Sequence, residues 1–396
     1  MAIKVSKWKN GAQSPVLFMI DDLANLWHDK NKNGKCDIGE DWGHMGISQN
    51  SMWNFLNQNI LSKWPNIKTT FFLVVGKRAS ILSHKRYTYC EDILGSEDFL
   101  EFINNLNSRN DVELAYHGLT HGIGGSDAKN FVQEWETFKN VDEAIKTTEL
   151  GKEIFFKALG EYPKGGKYPG YAYNSFSDES IAKTGFKWWC RHLDFLKEDD
   201  SNLKDYSYDL EKFQGVIDIP TTIDGAFYSL KVKQYLLTRK YVKSTLLALL
   251  KKRTLEGLIK KRLANQQIIS IQEHTSPVRT DDRIQYPNIV TDINNLEHIF
   301  SFLKLKDVWY ATGSEIAEYN EKTESVDIRR INNHQFRLKL TSRKFIGQAI
   351  SLELENGKTE EDVRIVIRGK EYPAIKKSTK LVFNVPITDQ IYSIKT

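Results

Sequence analysis

Long apolar segments and paired cysteines are both scarce in this 396-residue chain. No run of residues approaches the roughly 20 apolar positions that a membrane-spanning helix needs. The first residues lack the basic, apolar and small-residue pattern of a secretory leader, so we expect a cytoplasmic protein. The three cysteines, Cys36, Cys90 and Cys190, are far apart in sequence and form no C-x-x-C pair. This pattern argues against a disulfide framework and favours a reducing compartment.

Positive and negative charges nearly balance over the whole chain, but one segment is strongly basic. The formal net charge is +5, whereas residues 231–262 contain eleven lysines and arginines and one acid, Glu256, so this segment carries +10 and the rest −5. Leucines between the basic clusters predict an amphipathic helix or helix pair packed on the protein surface. The alternative is binding to an anionic membrane surface or lipid-pyrophosphate substrate, peripheral at the inner membrane face. Nucleic acid is disfavoured, because no recognition motif accompanies the charge.

The rest of the composition is globular, with 40% hydrophobic and 12% aromatic residues. Short β-branched or aromatic runs without polar alternation are interspersed with amphipathic stretches of helical length, which is typical of parallel strands covered by helices. The predicted strands are Val16–Ile20, Thr69–Val75, Val112–Tyr116, Phe186–Cys190, Val216–Ile219, Ile268–Ile271 and Val308–Ala311. About seven strands in roughly 300 residues predict an α/β fold, a (β/α) barrel with insertions.

The pattern changes near residue 322. From Val326 onward apolar and polar residues alternate with period two, as in Phe336–Leu340 and Ile350–Leu354. Turn residues separate these runs, which predicts short antiparallel strands. We therefore expect a barrel domain over 1–321 and a small β-sandwich-like accessory domain over 322–396.

Three predicted strands end in polar residues. Asp21 and Asp22 follow the first, His117 and His121 follow the third, and His274 follows a later one. The carboxyl ends of parallel strands meet on one face, so we expect these side chains to converge. Two imidazoles in an H-x-x-x-H spacing plus one carboxylate are a metal-ligand set with open positions. The alternative is that each histidine is a hydrogen-bonded core residue.

These residues resemble the motifs of the polysaccharide deacetylases of the NodB-homology type, carbohydrate esterases on a distorted (β/α) barrel. The similar segments, in the family's order within about residues 15–320, are Phe18–Asp22, Thr70–Gly76, His117–His121 and Ile269–His274. The resemblance implies that Asp22, His117 and His121 bind a divalent metal, usually zinc. It also implies that Asp21 is the general base and that His274 is the general acid.

The resemblance extends to a set of predicted substrate residues, and the sequence departs from the family pattern at three points. A backbone donor near the end of 167–171 would stabilise the oxyanion. Gly118 replaces the family's serine or threonine, Lys167 replaces an arginine that would bind a carboxylate through two nitrogens, and the Asp-Trp motif has no clear match. The residues assigned to the substrate or oxyanion are Lys167, Pro169, Gly170, Tyr171, Trp188 and Trp189. The two tryptophans are alternatively core residues.

A second metal motif follows the first strand. Residues 29–40 fit D-x-[DN]-x-[DN]-G-x₅-E, the calcium loop of EF-hands, with Gly34 at the sharp turn. The predicted ligands are Asp29, Asn31, Asn33, the carbonyl of Lys35, Asp37 and Glu40. We expect a structural calcium ion in this loop; the alternative is an Asn- and Gly-rich surface loop.

Together these features predict a metal-dependent hydrolase that removes an N-acyl group, such as N-acetyl, from an amino sugar. The substrate would be a surface glycan, a capsule polymer or a lipid-linked glycan precursor. Two alternatives remain open: a catalytically inactive glycan-binding protein on the same barrel, and a membrane-associated assembly partner.

Overall fold

The computed structural model describes residues 2–192, 209–225, 255–275, 278–355, 363–377 and 379–395. The chain forms two compact units. The α/β unit comprises Val16–Lys306 and Tyr310–Ser314, and the β unit comprises Met1–Pro15, Asp307–Trp309 and Glu315–Thr396. The predicted domains, 1–321 and 322–396, differ from this division, because the β unit also includes residues 1–15, 307–309 and 315–321.

The described residues form twenty-three strands and eight α-helices. The strands are β1 Ala2–Val5, β2 Ser14–Leu23, β3 Leu26–Trp27, β4 Thr69–Leu73, β5 Tyr89–Cys90, β6 Val112–Tyr116, β7 Gly122–Ile123, β8 Val132–Gln133, β9 Gly165–Lys167, β10 Trp188–Cys190, β11 Glu211–Phe213, β12 Val216–Asp218, β13 Ile223–Asp224, β14 Ile269–His274, β15 Val308–Tyr310, β16 Val326–Arg330, β17 Gln335–Leu340, β18 Ala349–Glu355, β19 Arg364–Ile367, β20 Lys370–Pro373, β21 Ile375–Lys376, β22 Lys380–Pro386 and β23 Ile391–Lys395. The helices are α1 Met52–Leu56, α2 Glu97–Asn107, α3 Glu134–Thr137, α4 Val141–Leu159, α5 Ser177–Lys183, α6 at 255–264, α7 Ile293–Leu303 and α8 Gly313–Glu324.

A parallel sheet forms the centre of the α/β unit. Its strands pair in the order β12-β10-β9-β6-β4-β2-β14-β13, all parallel, and β11 adds to β12 in the antiparallel sense. The mixed α/β fold with a parallel sheet is therefore confirmed. Among the described strands no pairing joins β13 to β11 or β12, so closure into a barrel stays a prediction.

Helices α2 and α4 have the sequence signals that begin and end a helix. The side chains of Ser96 and Asn140 accept hydrogen bonds from the first turns of α2 and α4. Helix α4 ends at Gly160, which has a φ of 74°, a value that glycine adopts without steric cost. Both helices bury one apolar face, as the 3.6-residue periodicity predicts.

Strand β9 carries no signal in the sequence, because it begins with two glycines. A Cβ atom on Gly165 would lie 2.0 Å from the Trp188 ring, and one on Gly166 would lie 2.2 Å from the Trp189 ring. Only glycine allows β9 to pair with β10 beneath two indole rings. The low strand propensity of glycine hides the strand from prediction, although tertiary packing requires glycine at both positions.

The β unit contains two antiparallel sheets. One has the order β1-β18-β22-β21, and the other has the order β16-β17-β23-β19-β20. Side chains from both sheets, including Leu352, Phe383, Phe336 and Tyr392, share one buried core. Strand β1 pairs with β18, which explains why the N-terminal residues belong to this unit.

Most of the basic segment 231–262 lies outside the described residues. Its last part, 255–262, belongs to α6. Leu255 and Ile259 are buried there, while Lys260 is exposed. Within the described part of the chain, no helix is both long and apolar enough to cross a bilayer.

Candidate functional site

A bulge at the end of β2 brings two consecutive carboxylates into the site. Successive residues of a regular strand face opposite sides of the sheet. The pairing of β2 with β4 shifts register between Ile20 and Leu23, and Asp22 has a φ of 68°. Because of this break in the ladder, the side chains of Asp21 and Asp22 both lie at the same edge of the sheet. Regular alternation would place them on opposite faces.

Asp22, His117 and His121 form a buried group with converging ligand atoms. One atom from each lies within 4.8 Å of the others. The Oδ1 atom of Asp22 lies 2.8 Å from Nε2 of His121 and 3.5 Å from Nε2 of His117. The Nδ1–H group of His117 lies 3.1 Å from the carbonyl oxygen of Lys167, a contact that leaves Nε2 as the lone-pair nitrogen. Within the described residues, this is the group whose geometry fits a metal ion.

The electrostatics of the group favour the protonation states that ligands need. Burial lowers the pKa of His121 to about 4, so its imidazole is neutral near pH 7. Burial opposes ionisation of Asp22, yet Arg78 and the two imidazoles hold its pKa well below the usual value. Neutral imidazoles and an ionised carboxylate are the forms that bind divalent metals.

A carboxylate from α3 holds the loop that carries both histidines. Glu134 is buried and accepts backbone hydrogen bonds from Leu119, Thr120 and His121 at 2.7–2.9 Å. Gly118 has a φ of 93°, and a Cβ atom there would lie 2.5 Å from Oε2 of Glu134. The glycine that departs from the family motif is thus required by this carboxylate, which supports the loop instead.

Lys167 is the cation beside Asp21. Its Nζ atom lies 2.6 Å from Oδ2 of Asp21 and has no solvent exposure. The rings of Tyr171 and Phe72 flank the ammonium, with centroids 4.4 and 5.3 Å away. Gln272 also donates to Oδ2 of Asp21, at 3.0 Å. Oδ1 of Asp21 is buried and lacks a hydrogen-bond partner among the described residues, so it is the oxygen available to a water or substrate.

His274 lies directly beside Asp21 in the sheet. The two residues are register partners in the parallel pairing of β14 with β2. Nδ1 of His274 lies 2.6 Å from the carbonyl oxygen of Pro287, so the second nitrogen, Nε2, is left for proton transfer. Burial lowers the pKa of His274, so the doubly protonated ring, the form that carries a proton on Nε2, releases that proton readily.

The predicted substrate residues fall into two groups by their place in the structure. Tyr171 belongs to the site, because its hydroxyl donates to Gln272 at 2.5 Å. Pro169 and Gly170 form the tight turn before it, and the Tyr171 N–H donates to Tyr168 O within that turn. An oxyanion donor near the end of 167–171 stays a prediction. Trp188 and Trp189 have no exposed area, and this burial favours the core role over contact with a sugar.

Four residues of the site were not identified from sequence. Gln272 lies inside the buried run of β14, Arg78 lies five residues past β4, and Glu134 and Gln285 lie in segments without a strand-end signal. Arg78 and Gln285 donate to Oδ2 of Asp22. Only the strand-end rule, applied to β4, could have indicated Arg78.

The calcium-type loop is closed by hydrogen bonds among its predicted ligands. Asp29 accepts from the backbone N–H groups of Asn33 and Gly34, and both Asn31 and Asn33 donate to Asp37. Glu40 accepts from the backbone N–H groups of residues 30 and 37. The carboxylates of Asp29, Asp37 and Glu40 are not among the converging groups that fit a metal ion, so calcium binding stays a prediction.

Terbium luminescence tests this loop. We expect Tb³⁺, a calcium analogue, to give emission sensitised by tryptophan and displaced by Ca²⁺. Replacing Glu40 with glutamine should weaken binding at least about tenfold, because the loop loses its last carboxylate. Replacing Lys35 with alanine should not weaken it, since only the Lys35 carbonyl is a predicted ligand. Equal affinity in wild type and Glu40→Gln would contradict calcium binding by this loop.

A buried carboxyl group at the end of β12 predicts a pH effect on stability. Burial raises the pKa of Asp218 to about 7, from an ordinary value of 3.8, although Arg191 lies 3.8 Å away. The folded protein therefore keeps a proton that the unfolded chain releases between these pH values. Raising the pH through this window costs up to about 1.4 kcal/mol of stability per unit at this group.

Replacing Asp218 with asparagine should remove this penalty. The melting temperature of the variant relative to wild type should therefore be higher at pH 8 than at pH 5. The exposed Asp142 on α4 provides the matched Asp→Asn control, which should show no such trend. A melting-temperature difference between Asp218→Asn and wild type that does not change with pH would contradict the raised pKa of Asp218.

Comparisons with known proteins give two kinds of similarity. A family model described as glycosyl hydrolase family 57 matches residues 28–213, less than half of the chain. This match includes His117 and His121 but begins after Asp22. No curated protein matches the chain significantly.

Solved structures resemble the chain at low sequence identity. A putative polysaccharide deacetylase from Mycobacterium smegmatis is 17% identical, with a TM-score of 0.48 over 81% of this chain and 94% of that chain. A probable polysaccharide deacetylase from Pseudomonas aeruginosa PAO1 is 12% identical, with a TM-score of 0.46 over 79% and 93%. A 4-alpha-glucanotransferase from Thermococcus litoralis is 14% identical, with a TM-score of 0.43 over 77% of this chain and 40% of that chain. These similarities concern the fold.

Proposed function

We propose that the protein is a metal-dependent hydrolase that removes an N-acyl group, such as acetyl, from an amino sugar of a glycan or glycan precursor. The observation that carries the proposal is the convergence of Asp22, His117 and His121 beside Asp21, with His274 next to Asp21 in the sheet. The motif resemblance to polysaccharide deacetylases supports the same reaction. The α/β unit would be catalytic and the β unit accessory.

The ligand set fits a divalent metal, with zinc as the leading candidate. Nε2 of His117 and Oδ1 of Asp22 lie 3.5 Å apart, an arrangement that a shared cation would stabilise. When bound, such a metal would polarise the amide carbonyl of the substrate and make a water molecule more acidic.

The chain's own residues supply the proton transfers. Asp21 would take a proton from the attacking water through Oδ1, while Lys167 and Gln272 hold Oδ2 in place. The water oxygen bonds to the carbonyl carbon, and the bond from carbon to nitrogen then breaks. His274, in its doubly protonated form, would give its Nε2 proton to the departing nitrogen while Nδ1–H stays bonded to Pro287, because an amine is a poor leaving group without a proton. The products are a carboxylic acid and a free amino sugar.

An acetate-release assay tests this proposal. N-acetylhexosamine oligomers and polymers are incubated with the protein as purified, after chelation, and after zinc is restored. We expect acetate release that chelation abolishes and zinc recovers. Absence of turnover on every acylated amino sugar, at full metal occupancy, would contradict the proposal. Less than about half a metal ion per chain would instead favour the inactive glycan-binding alternative.

Glycoside hydrolysis is the second candidate, because a glycosyl hydrolase family model matches residues 28–213. That reaction needs two carboxyl groups on opposite sides of a glycosidic bond, one of them protonated. Asp21 and Asp22 lie outside the matched residues, and each faces a buried cation, Lys167 or Arg78, which makes this pair less suited to proton donation. Release of reducing ends without acetate from the same substrates would favour this candidate.

Membrane association through 231–262 remains a separate proposal. The predicted charge of +10 would attract anionic lipid at about 1 kcal/mol per basic residue near the surface. Co-sedimentation with vesicles, with and without anionic lipid, tests it. Equal sedimentation with both vesicle types would remove the proposal.

A further inference from the structure

Arg78 is a buried cation in direct contact with the candidate metal-binding carboxylate. Its Nη2 atom lies 3.2 Å from Oδ2 of Asp22, and both side chains are 1% exposed. Placing an arginine in the interior is costly unless its charge is paired and its donors are used. The proposed reaction assigns no proton transfer to Arg78, so its buried position beside Asp22 needs a separate reason.

Three contacts hold the guanidinium in one orientation. Nη1 donates to the Tyr87 hydroxyl at 2.7 Å and to the carbonyl of Ala79 at 3.4 Å. The Trp42 ring packs against the guanidinium, with its centroid 4.4 Å from Cζ. Arg78 therefore has little freedom to leave Asp22 when another cation arrives.

The two oxygens of Asp22 have different neighbours. Oδ2 accepts from Arg78 and also from Gln285 Nε2, at 2.9 Å. Oδ1 faces the imidazole nitrogens of His117 and His121. Partners of this kind orient metal-binding carboxylates, and their loss typically costs 10–100-fold in affinity or activity.

We propose that Arg78 is a positioning residue that occupies Oδ2 of Asp22, so that the carboxylate offers a metal only Oδ1. A carboxylate that binds through one oxygen leaves an additional coordination position for water or substrate. Without Arg78, Asp22 would be free to turn and bind through both oxygens. This inference rests on the proposed metal site, although it does not depend on which substrate is hydrolysed.

Cobalt(II) spectroscopy tests the inference without substrate. The visible absorption of bound Co²⁺ reports coordination geometry and intensifies as coordination number falls. We expect Arg78→Met to bind Co²⁺ with a weaker, shifted visible band than wild type, and to bind Zn²⁺ about 10–100-fold less tightly in competition with a chromophoric chelator. Lys77→Met is the matched control, because Lys77 is the exposed neighbour paired with Glu91. Its spectrum and affinity should equal those of wild type.

The conservative variant Arg78→Lys keeps the charge but loses the two-nitrogen contact. We expect Arg78→Lys to show the same change in the Co²⁺ band, but a smaller one. If Arg78→Met does not fold, the Co²⁺ band of Arg78→Lys tests the inference in its place. A merely structural role would lower the melting temperature of either variant and leave the Co²⁺ band unchanged. A wild-type band and wild-type zinc affinity in the folded variants would overturn the inference. Failure of wild type itself to bind Co²⁺ or Zn²⁺ would overturn both the inference and the proposed function.

Discussion

Replacing Asp21 with asparagine is expected to reduce acetate release about 10²–10⁴-fold while leaving the metal content unchanged. Asparagine cannot take the proton of the attacking water, and Asp21 is not one of the three converging ligands. The measurement is acetate release at saturating substrate, together with metal analysis of the same sample. Retained activity would show that the base is another residue, and loss of metal would show that Asp21 is a ligand.

The buried Lys167 complicates this variant in a predictable way. Its ammonium lies 2.6 Å from Asp21 and would lose its partner, a change that typically costs about 3–5 kcal/mol. The double variant Asp21→Asn with Lys167→Met removes the unpaired charge. We expect it to recover part of the melting temperature and none of the activity. Recovery of both would mean that the single variant is inactive only because it is unstable.

Replacing Gly118 with alanine is expected to destabilise the protein by about 2–5 kcal/mol and to weaken metal binding. Two effects contribute: a φ of 93° is unfavourable for alanine, and the new Cβ would lie 2.5 Å from Glu134 Oε2. Relief of the clash would move Glu134 away from the N–H groups that fix the loop between His117 and His121. Thermal unfolding and zinc competition measure the two consequences.

Gly160→Ala separates the backbone effect from the clash. Gly160 has a φ of 74°, and its Cβ would meet no atom within 4 Å. This control should cost about 1 kcal/mol, without any change in metal affinity. If Gly118→Ala behaves like Gly160→Ala, Glu134 does not support the metal-binding loop.

Much of the sheet follows from local sequence, and some of it does not. All seven predicted strands of the first 320 residues are present, because short runs of β-branched or aromatic residues are typical of strands that bury both faces in a sheet. Strand β9 escapes prediction, because Gly165 and Gly166 are required by distant indole rings rather than by strand propensity.

The residues of the candidate site also fall into two groups, those that are recognisable in the sequence and those that are not. The polar residues that end strands, among them Asp21, His117 and His274, are recognisable in sequence because parallel strands bring their carboxyl ends to one edge. The residues that orient them are not recognisable. Glu134 and Arg78 reach the site through contacts between segments far apart in the chain, which no local pattern encodes.

The sequence by itself determined the seven apolar strands of the first 320 residues, the polar side chains that follow three of them, and the one segment that carries the basic excess. Only the tertiary structure decided how those side chains are held. The bulge at Asp22, the pairing of Lys167 with Asp21 and the support of the 119–121 backbone by Glu134 all depend on packing between distant segments. Periodicity is a local property of the chain, whereas a side chain's orientation and partners are set by whatever the fold places beside it.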